Sequence, residues 1–123
     1  MYKYFKLSEF DSPDQPGSGE MMEAELVEML DTARDIAGFP FIITSGFRTV
    51  AYNRDLIERG YAASPKSSHL LGLAVDLAVP NGRKRFLMME ALLDAGFTRF
   101  GIGDSFLHVD IDKNKPANTI WTY

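Results

Sequence analysis

The chain has 123 residues, 46% hydrophobic and 24% charged, enough for one domain around one core. A net charge of −4 argues against a nucleic-acid partner, because a phosphate backbone is bound by a basic surface. There is no cysteine, so disulfides and thiolate metal sites are excluded and a metal would rest on His, Asp or Glu.

Residues 1–7 carry two lysines without an apolar run after them, so they do not read as a signal peptide. No segment is long and apolar enough to span a bilayer. The expectation is a monomer that is cytoplasmic as synthesised and does not insert into membrane. Action outside the cell would then need phage-type release or a separate export route.

Residues 1–10 suggest an edge strand or an ordered arm, and residues 11–19 are nearly all turn formers. Together they form an N-terminal arm and loop, 1–19, ahead of a core at 20–123. Tyr2, Tyr4, Phe5 and Phe10 read as packing rather than as a sugar-stacking surface. Over residues 20–37 the apolar positions Met22, Leu26, Met29, Ala33 and Ile36 recur at threes and fours. That spacing predicts an amphipathic helix, with Gly38 as its C-cap.

Residues 39–44 are aromatic and β-branched and predict a buried strand, ended by Ser45-Gly46. A short helix follows over 50–59, stopped by Gly60, and then a loop over 61–68. Residues 73–79 alternate. Leu73, Val75, Leu77 and Val79 make a core face, while Ala74, Asp76 and Ala78 leave open space above one carboxylate. Pro80-Asn81-Gly82 leads into a helix over 83–95, capped by Gly96. Strands are predicted at 99–103 and 106–111, and Gly101-x-Gly103 reads as a turn rather than a phosphate loop. A polar loop over 113–119 precedes a closing segment, 120–123, with the single tryptophan. The three terminal strands are expected to pair antiparallel. The fold class is α+β: one small domain, 1–123, with helices packed on a mostly antiparallel sheet.

The chemistry concentrates in Ser67-Ser68-His69-Leu70-Leu71-Gly72-Leu73-Ala74-Val75-Asp76 and Phe106-Leu107-His108-Val109-Asp110. These hold the only two histidines. Two imidazoles and a carboxylate are a zinc set that leaves a fourth position for water. His108 and Asp76 both interrupt apolar strands. A buried charge without a partner is costly, so the two should face each other or a shared cation.

The pattern Ser67-x-His69-x-x-Gly72-x-Ala74-x-Asp76, followed by His108, resembles the zinc D-Ala-D-Ala carboxypeptidases and related peptidoglycan peptidases of the M15 type. Ser45-Gly46-Phe47-Arg48 is similar to their Ser-Gly-aromatic-Arg segment, and the resemblance runs from about Phe41 to Asp110. A similar metal arrangement occurs in phage L-alanyl-D-glutamate endopeptidases and in the hedgehog signalling domain. The resemblance implies a hedgehog/DD-peptidase-like fold and Zn2+ held by His69, Asp76 and His108. It implies Arg48 as the group that neutralises negative charge on substrate or transition state, and Ser67 as a substrate-binding residue.

One role does not transfer. Many relatives carry an acid three residues before the last zinc histidine, or a histidine two before it. Here those positions are Ser105 and Phe106. The nearest acids are Asp104, in a turn, and Asp110, on the strand face of His108. Asp104 is favoured narrowly as general base, with Asp110 as base or as an orienting group.

The expected function is zinc-dependent hydrolysis of peptide bonds in peptidoglycan stem peptides, as carboxypeptidase or endopeptidase, with an endolysin-like role in wall degradation. The alternative is a non-catalytic, zinc-stabilised module that binds peptidoglycan or a protein. A non-haem iron oxygenase reading of His108-x-Asp110 with His69 fits less well. Its His-x-carboxylate pair comes in the wrong order, and the strands are too few for a double-sheet roll.

Overall fold

The computed structural model describes residues 2–123. Three α-helices, α1 (Ala24–Ala37), α2 (Val50–Glu58) and α3 (Gly82–Asp94), combine with five strands, β1 (Ile43–Ser45), β2 (Ala74–Ala78), β3 (Arg99–Ile102), β4 (Phe106–Asp110) and β5 (Thr119–Thr122). The strands form one sheet in the order β1-β2-β4-β3-β5. The α+β class with a mostly antiparallel sheet is as expected.

Strand alternation divides the sheet into two faces. Val75, Leu77, Phe100, Leu107 and Val109 point to one side and join Leu26, Val27, Leu30 and Ala33 of α1 and Met88, Ala91 and Leu92 of α3 in a single core. The other face carries the polar residues. Across it, Ser45, Asp76, His108, Gly101 and Trp121 occupy successive strands in one row, through the registers Ser45↔Asp76, Asp76↔His108, Gly101↔His108 and Gly101↔Trp121.

Several boundaries differ from the sequence reading. The N-terminal arm is not a strand. It makes 3-10 turns at Leu7–Phe10 and Ser18–Met21. Asp11 fixes the loop between them by accepting from the Gly17 and Gly19 N–H groups at 3.0 and 2.8 Å. Phe5 and Phe10 enter the core, so the aromatic arm is packing, as expected. α1 begins at Ala24 rather than at residue 20, because Met22 is extended and breaks the turn before it. Met22 is still buried, which is why it completed the apolar stripe. Of residues 39–44 only the end joins the sheet; Phe41 is buried outside the ladder.

The closing strand corrects the antiparallel expectation. β5 runs parallel to β3, with Arg99↔Thr119 through Ile102↔Thr122 in register. A parallel neighbour needs a crossover, and residues 111–118 supply it without a helix. Asn118 turns that loop into β5 with a left-handed φ of 56°. Gly101 also departs from the sequence reading: it lies within β3 rather than in a turn.

Candidate metal centre

The β2–β4 ladder brings the two aspartate–histidine segments together. Asp76 and His108 are direct cross-strand partners on the polar face. His69 arrives from a 3-10 turn, Ser68–Leu71, immediately before β2. Ser67 caps that turn, its hydroxyl oxygen accepting from the His69 N–H at 3.2 Å. Gly72 ends it with a φ of 70°, and a Cβ there would lie 2.2 Å from the Met21 carbonyl oxygen. The glycine of the motif is therefore set by backbone geometry.

One ligand atom from each of His69, Asp76 and His108 lies within 4.8 Å of the others. His69 Nε2 is 3.3 Å and His108 Nδ1 is 2.9 Å from Asp76 Oδ1. The far nitrogen of each ring is engaged as well. His69 Nδ1 is 2.7 Å from the Gly46 carbonyl, an acceptor only, so this nitrogen carries the proton. His108 Nε2 is 2.7 Å from Asp110 Oδ2, a carboxylate acceptor behind the ring. His69 Nε2 and His108 Nδ1 thus both face Asp76 Oδ1, hydrogen-bonding to it as the site stands and able to ligate a cation once deprotonated. This is the donor arrangement of a histidine–histidine–carboxylate metal site whose outer partners orient the rings. The residues present fit a zinc ion.

The electrostatics agree. Burial pushes the His69 imidazole down, so it stays neutral as a ligand must. Burial opposes ionisation of Asp76, but hydrogen bonds to His108 and His69 outweigh it and hold the carboxyl well below its usual range. Burial likewise works against charge on His108, and the Asp110 and Asp76 carboxylates overcome it and raise the ring. Asp110 is held low by His108 and Arg99 against its own desolvation. The cluster thus gathers two ionised carboxylates, each matched by an arginine, around one point.

Arg48 follows β1, and its backbone N–H donates to the His69 carbonyl at 3.2 Å. Its guanidinium reaches Ser45 Oγ at 3.0 Å, Asn53 Oδ1 at 3.4 Å and Asp76 Oδ2 at 3.4 Å. Arg48 therefore sits beside the cluster with its fork pre-aimed. Asn53 ties α2 to the 61–68 loop by donating to the Ser64 carbonyl at 2.8 Å. Ser67 lines the same cleft, a cavity of about 200 Å³ that also holds His69, Asp76 and His108.

The two candidate bases separate. Asp104 is exposed on the β3–β4 turn and is not among the residues lining the cleft. Arg85 pins that turn through the carbonyls of Gly103, Phe106 and Asp104 at 2.7, 3.0 and 3.2 Å. Asp110 lies against the cluster, but both oxygens are committed. Oδ2 meets His108, while Oδ1 accepts from Arg99 Nε at 2.7 Å and from the Asp112 N–H at 3.2 Å.

Sequence reasoning missed the wall opposite Arg48. Trp121 stacks beside His108 with ring centroids 5.5 Å apart, and Arg99 lies over the indole at 4.9 Å. Tyr123 packs on Phe106 at 5.1 Å and lines the cleft, as does Lys115. Burial raises the Tyr123 phenol, and the Asp76 and Asp110 charges add to this, so it stays protonated near neutral pH. The available signal was Gly101, an unbranched gap on the face that the period of two assigns to the site.

A family model described as Peptidase M15 matches residues 3–112. No curated protein matches the chain. Among solved structures, the L-Ala D-Glu endopeptidase ChiX of Serratia marcescens aligns with a TM-score of 0.55 at 23% identity. The alignment covers 62% of this chain and 62% of that one, so the likeness is one of fold over less than two thirds of either.

Proposed function

This chain belongs to the peptidase M15 family, and from that premise we propose that it is a zinc-dependent hydrolase of peptide bonds in peptidoglycan stem peptides. The observation that carries the reading is the convergence of His69 Nε2, Asp76 Oδ1 and His108 Nδ1, with an outside acceptor behind each ring. The peptide substrate is supported by the family and by the activity of the fold neighbour, an L-Ala D-Glu endopeptidase.

His69, Asp76 and His108 would hold the ion. When bound, it supplies Lewis acidity, which makes water nucleophilic near neutral pH. The chain's own groups do the rest. Arg48, already desolvated and fixed by Ser45 and Asn53, presents N–H donors to the carbonyl oxygen as charge develops on it. The Ser67 hydroxyl oxygen accepts from the backbone, which leaves its O–H to donate to the peptide. Asp110 holds the His108 ring in its ligating orientation and supports the ligand's basicity. Trp121 and Phe106 form an aromatic wall along one side of the cleft.

A second reading is a metal-stabilised module that binds wall peptide without cleaving it. The commitment of both Asp110 oxygens favours it, since no uncommitted carboxylate lines the cleft among the described residues. One experiment separates the two. Muropeptides are incubated with the zinc-loaded protein, with and without chelator, and the products are weighed by mass spectrometry. Chelator-sensitive cleavage at one peptide bond supports the hydrolase. Stoichiometric zinc and peptide binding with no new product supports the module.

A further inference from the structure

Three cations line the cleft: Arg48, Arg99 and Lys115. Two of them face carboxylates directly. Arg99 donates to Asp110 at 2.7 Å, and Arg48 Nη2 lies 3.4 Å from Asp76. Lys115 differs. Its ammonium donates to two neutral oxygens, Ser68 Oγ at 2.8 Å and the Lys66 carbonyl at 3.2 Å. The carboxylate nearest to it, Asp112, is 3.8 Å away. Asp112 is already satisfied, accepting from the Ser68 hydroxyl at 2.7 Å and from the Asn114 N–H at 3.1 Å. An ammonium has three donors, and two are used here. The Lys115 side chain is 33% exposed.

These contacts are also long-range. Lys115 is 47 and 49 residues from the groups it touches. The 111–118 crossover is thereby folded back onto the turn that carries His69, which places the ammonium at the mouth of the cleft beside Ser67 and Ser68. With a divalent cation on the three ligands, positive charge exceeds negative charge around this cavity, inside a protein of net charge −4. A low-dielectric cleft of that sign attracts an anionic ligand.

We infer that Lys115 is a specificity-determining residue that anchors a carboxylate of the substrate one residue away from the scissile amide. The inference rests on the hydrolase reading above and extends it to the charge of the substrate. A γ-linked glutamyl residue and a terminal amino acid both present such a carboxylate. Charge-assisted hydrogen bonding to an ammonium is among the stronger polar contacts, and losing it is expected to cost about tenfold in kcat/KM or binding.

The test uses the zinc-loaded protein, wild type and Lys115→Met, with Lys115→Arg as the charge-retaining control. The substrates are the pentapeptide L-Ala-γ-D-Glu-L-Lys-D-Ala-D-Ala and two singly amidated forms, one at the glutamyl α-carboxyl and one at the terminus. Wild type is expected to lose about tenfold in kcat/KM, mainly through KM, on one amidated form only; which form it is identifies the carboxylate. Lys115→Met is expected to treat that form and the parent alike, and Lys115→Arg to keep part of the preference. Equal use of all three peptides by wild type overturns the inference, and so does a preference that survives Lys115→Met. If wild type cleaves none of them, the hydrolase reading falls while Lys115 is still tested by calorimetric binding of the same peptides. Tighter binding of the carboxylate form that Lys115→Met abolishes supports it, and indifferent binding overturns it.

Discussion

His108 and Asp110 sit two residues apart on one strand and are joined directly, ring Nε2 to carboxylate Oδ2, at 2.7 Å. Alternation puts both on the polar face, and Arg99 from the neighbouring strand holds the other carboxylate oxygen. A carboxylate gripped from both sides orients its partner. Asp110→Asn removes the charge behind His108, so zinc affinity should fall on the order of 10–100-fold. Turnover at saturating zinc should fall by less than about tenfold, short of the roughly 10²–10⁴ expected on losing a general base. Chelator competition and kcat at saturating metal check the two numbers. Unchanged zinc affinity with kcat down about a thousandfold would make Asp110 the proton acceptor instead.

Asp104 follows from the same comparison. Its turn is fixed by three hydrogen bonds from Arg85 to backbone carbonyls, and its side chain stays outside the cleft. Asp104→Ala should leave kcat/KM on a wall peptide within about twofold, since exposed substitutions away from a site have small effects. Arg85→Ala, which releases the turn, should destabilise the fold by about 1–3 kcal/mol, chiefly because the part-buried Gly103 carbonyl loses its donor. Denaturant titration measures the second and steady-state kinetics the first. A large kinetic loss in Asp104→Ala would show that the turn moves in on substrate binding.

His108→Ala tests the centre itself. The substitution removes one of the three proposed ligands and also the hydrogen-bond partner that Asp76 and Asp110 share. Zinc content should drop from one per chain to none after gel filtration, with hydrolysis lost. Stability of the metal-free protein should fall by about 1–3 kcal/mol, because two buried carboxylates lose a donor. Zinc retained at one per chain would place the metal elsewhere.

Far from the site, the arm has its own pH dependence. The Tyr4 hydroxyl and Lys3 Nζ both donate to the Asp35 side chain and hold its carboxyl below the ordinary value. Asp31 accepts from the Lys3 and Tyr4 N–H groups, each at 2.8 Å. With the folded pKa of Asp35 depressed, its contribution is complete above the unfolded value of about 4 and is lost as pH falls through the folded one. Amide chemical shifts of Lys3 and Tyr4 should therefore move in acid before the core unfolds. In Asp35→Asn that part of the pH dependence should disappear. A shift profile identical in the variant would assign the transition to other groups.

Much of the site was legible because it obeys short-range rules. The period of two on residues 73–79 isolated Asp76, and the motif around Ser67 and Gly72 is fixed by a cap and a left-handed turn. The antiparallel pairing of β3 with β4 was legible, but the direction of β5 was not. A strand that follows β4 after eight residues reads as the next hairpin arm, yet it crosses over and lies parallel on β3. Trp121 from this strand meets Arg99 of β3 and His108 of β4, contacts distant in sequence that periodicity does not encode. The same crossover carries Lys115 back to the site, so that residue was invisible until the loop had a path. The start of α1 failed for the opposite reason: Met22 matched the helical stripe by position but is buried from an extended backbone.

Gly101 makes the aromatic wall possible, and replacing it tests whether that wall matters. It sits opposite His108 on the site face, and a Cβ there would come 2.7 Å from Trp121 Nε1 and 2.8 Å from the Tyr123 hydroxyl. Contacts that close force the indole and phenol to move, at a cost of about 1–3 kcal/mol if they cannot do so freely. The proposed zinc ligands are not touched, so Gly101→Ala should still bind one zinc. Trp121 is the single tryptophan, so its emission reports the displacement directly. The expected pattern is a shifted emission maximum, retained zinc, and KM for a wall peptide raised several-fold as the wall opposite Arg48 recedes. Unshifted emission with unchanged KM would mean that β5 absorbs the methyl by sliding, and the wall would then have no part in holding the peptide.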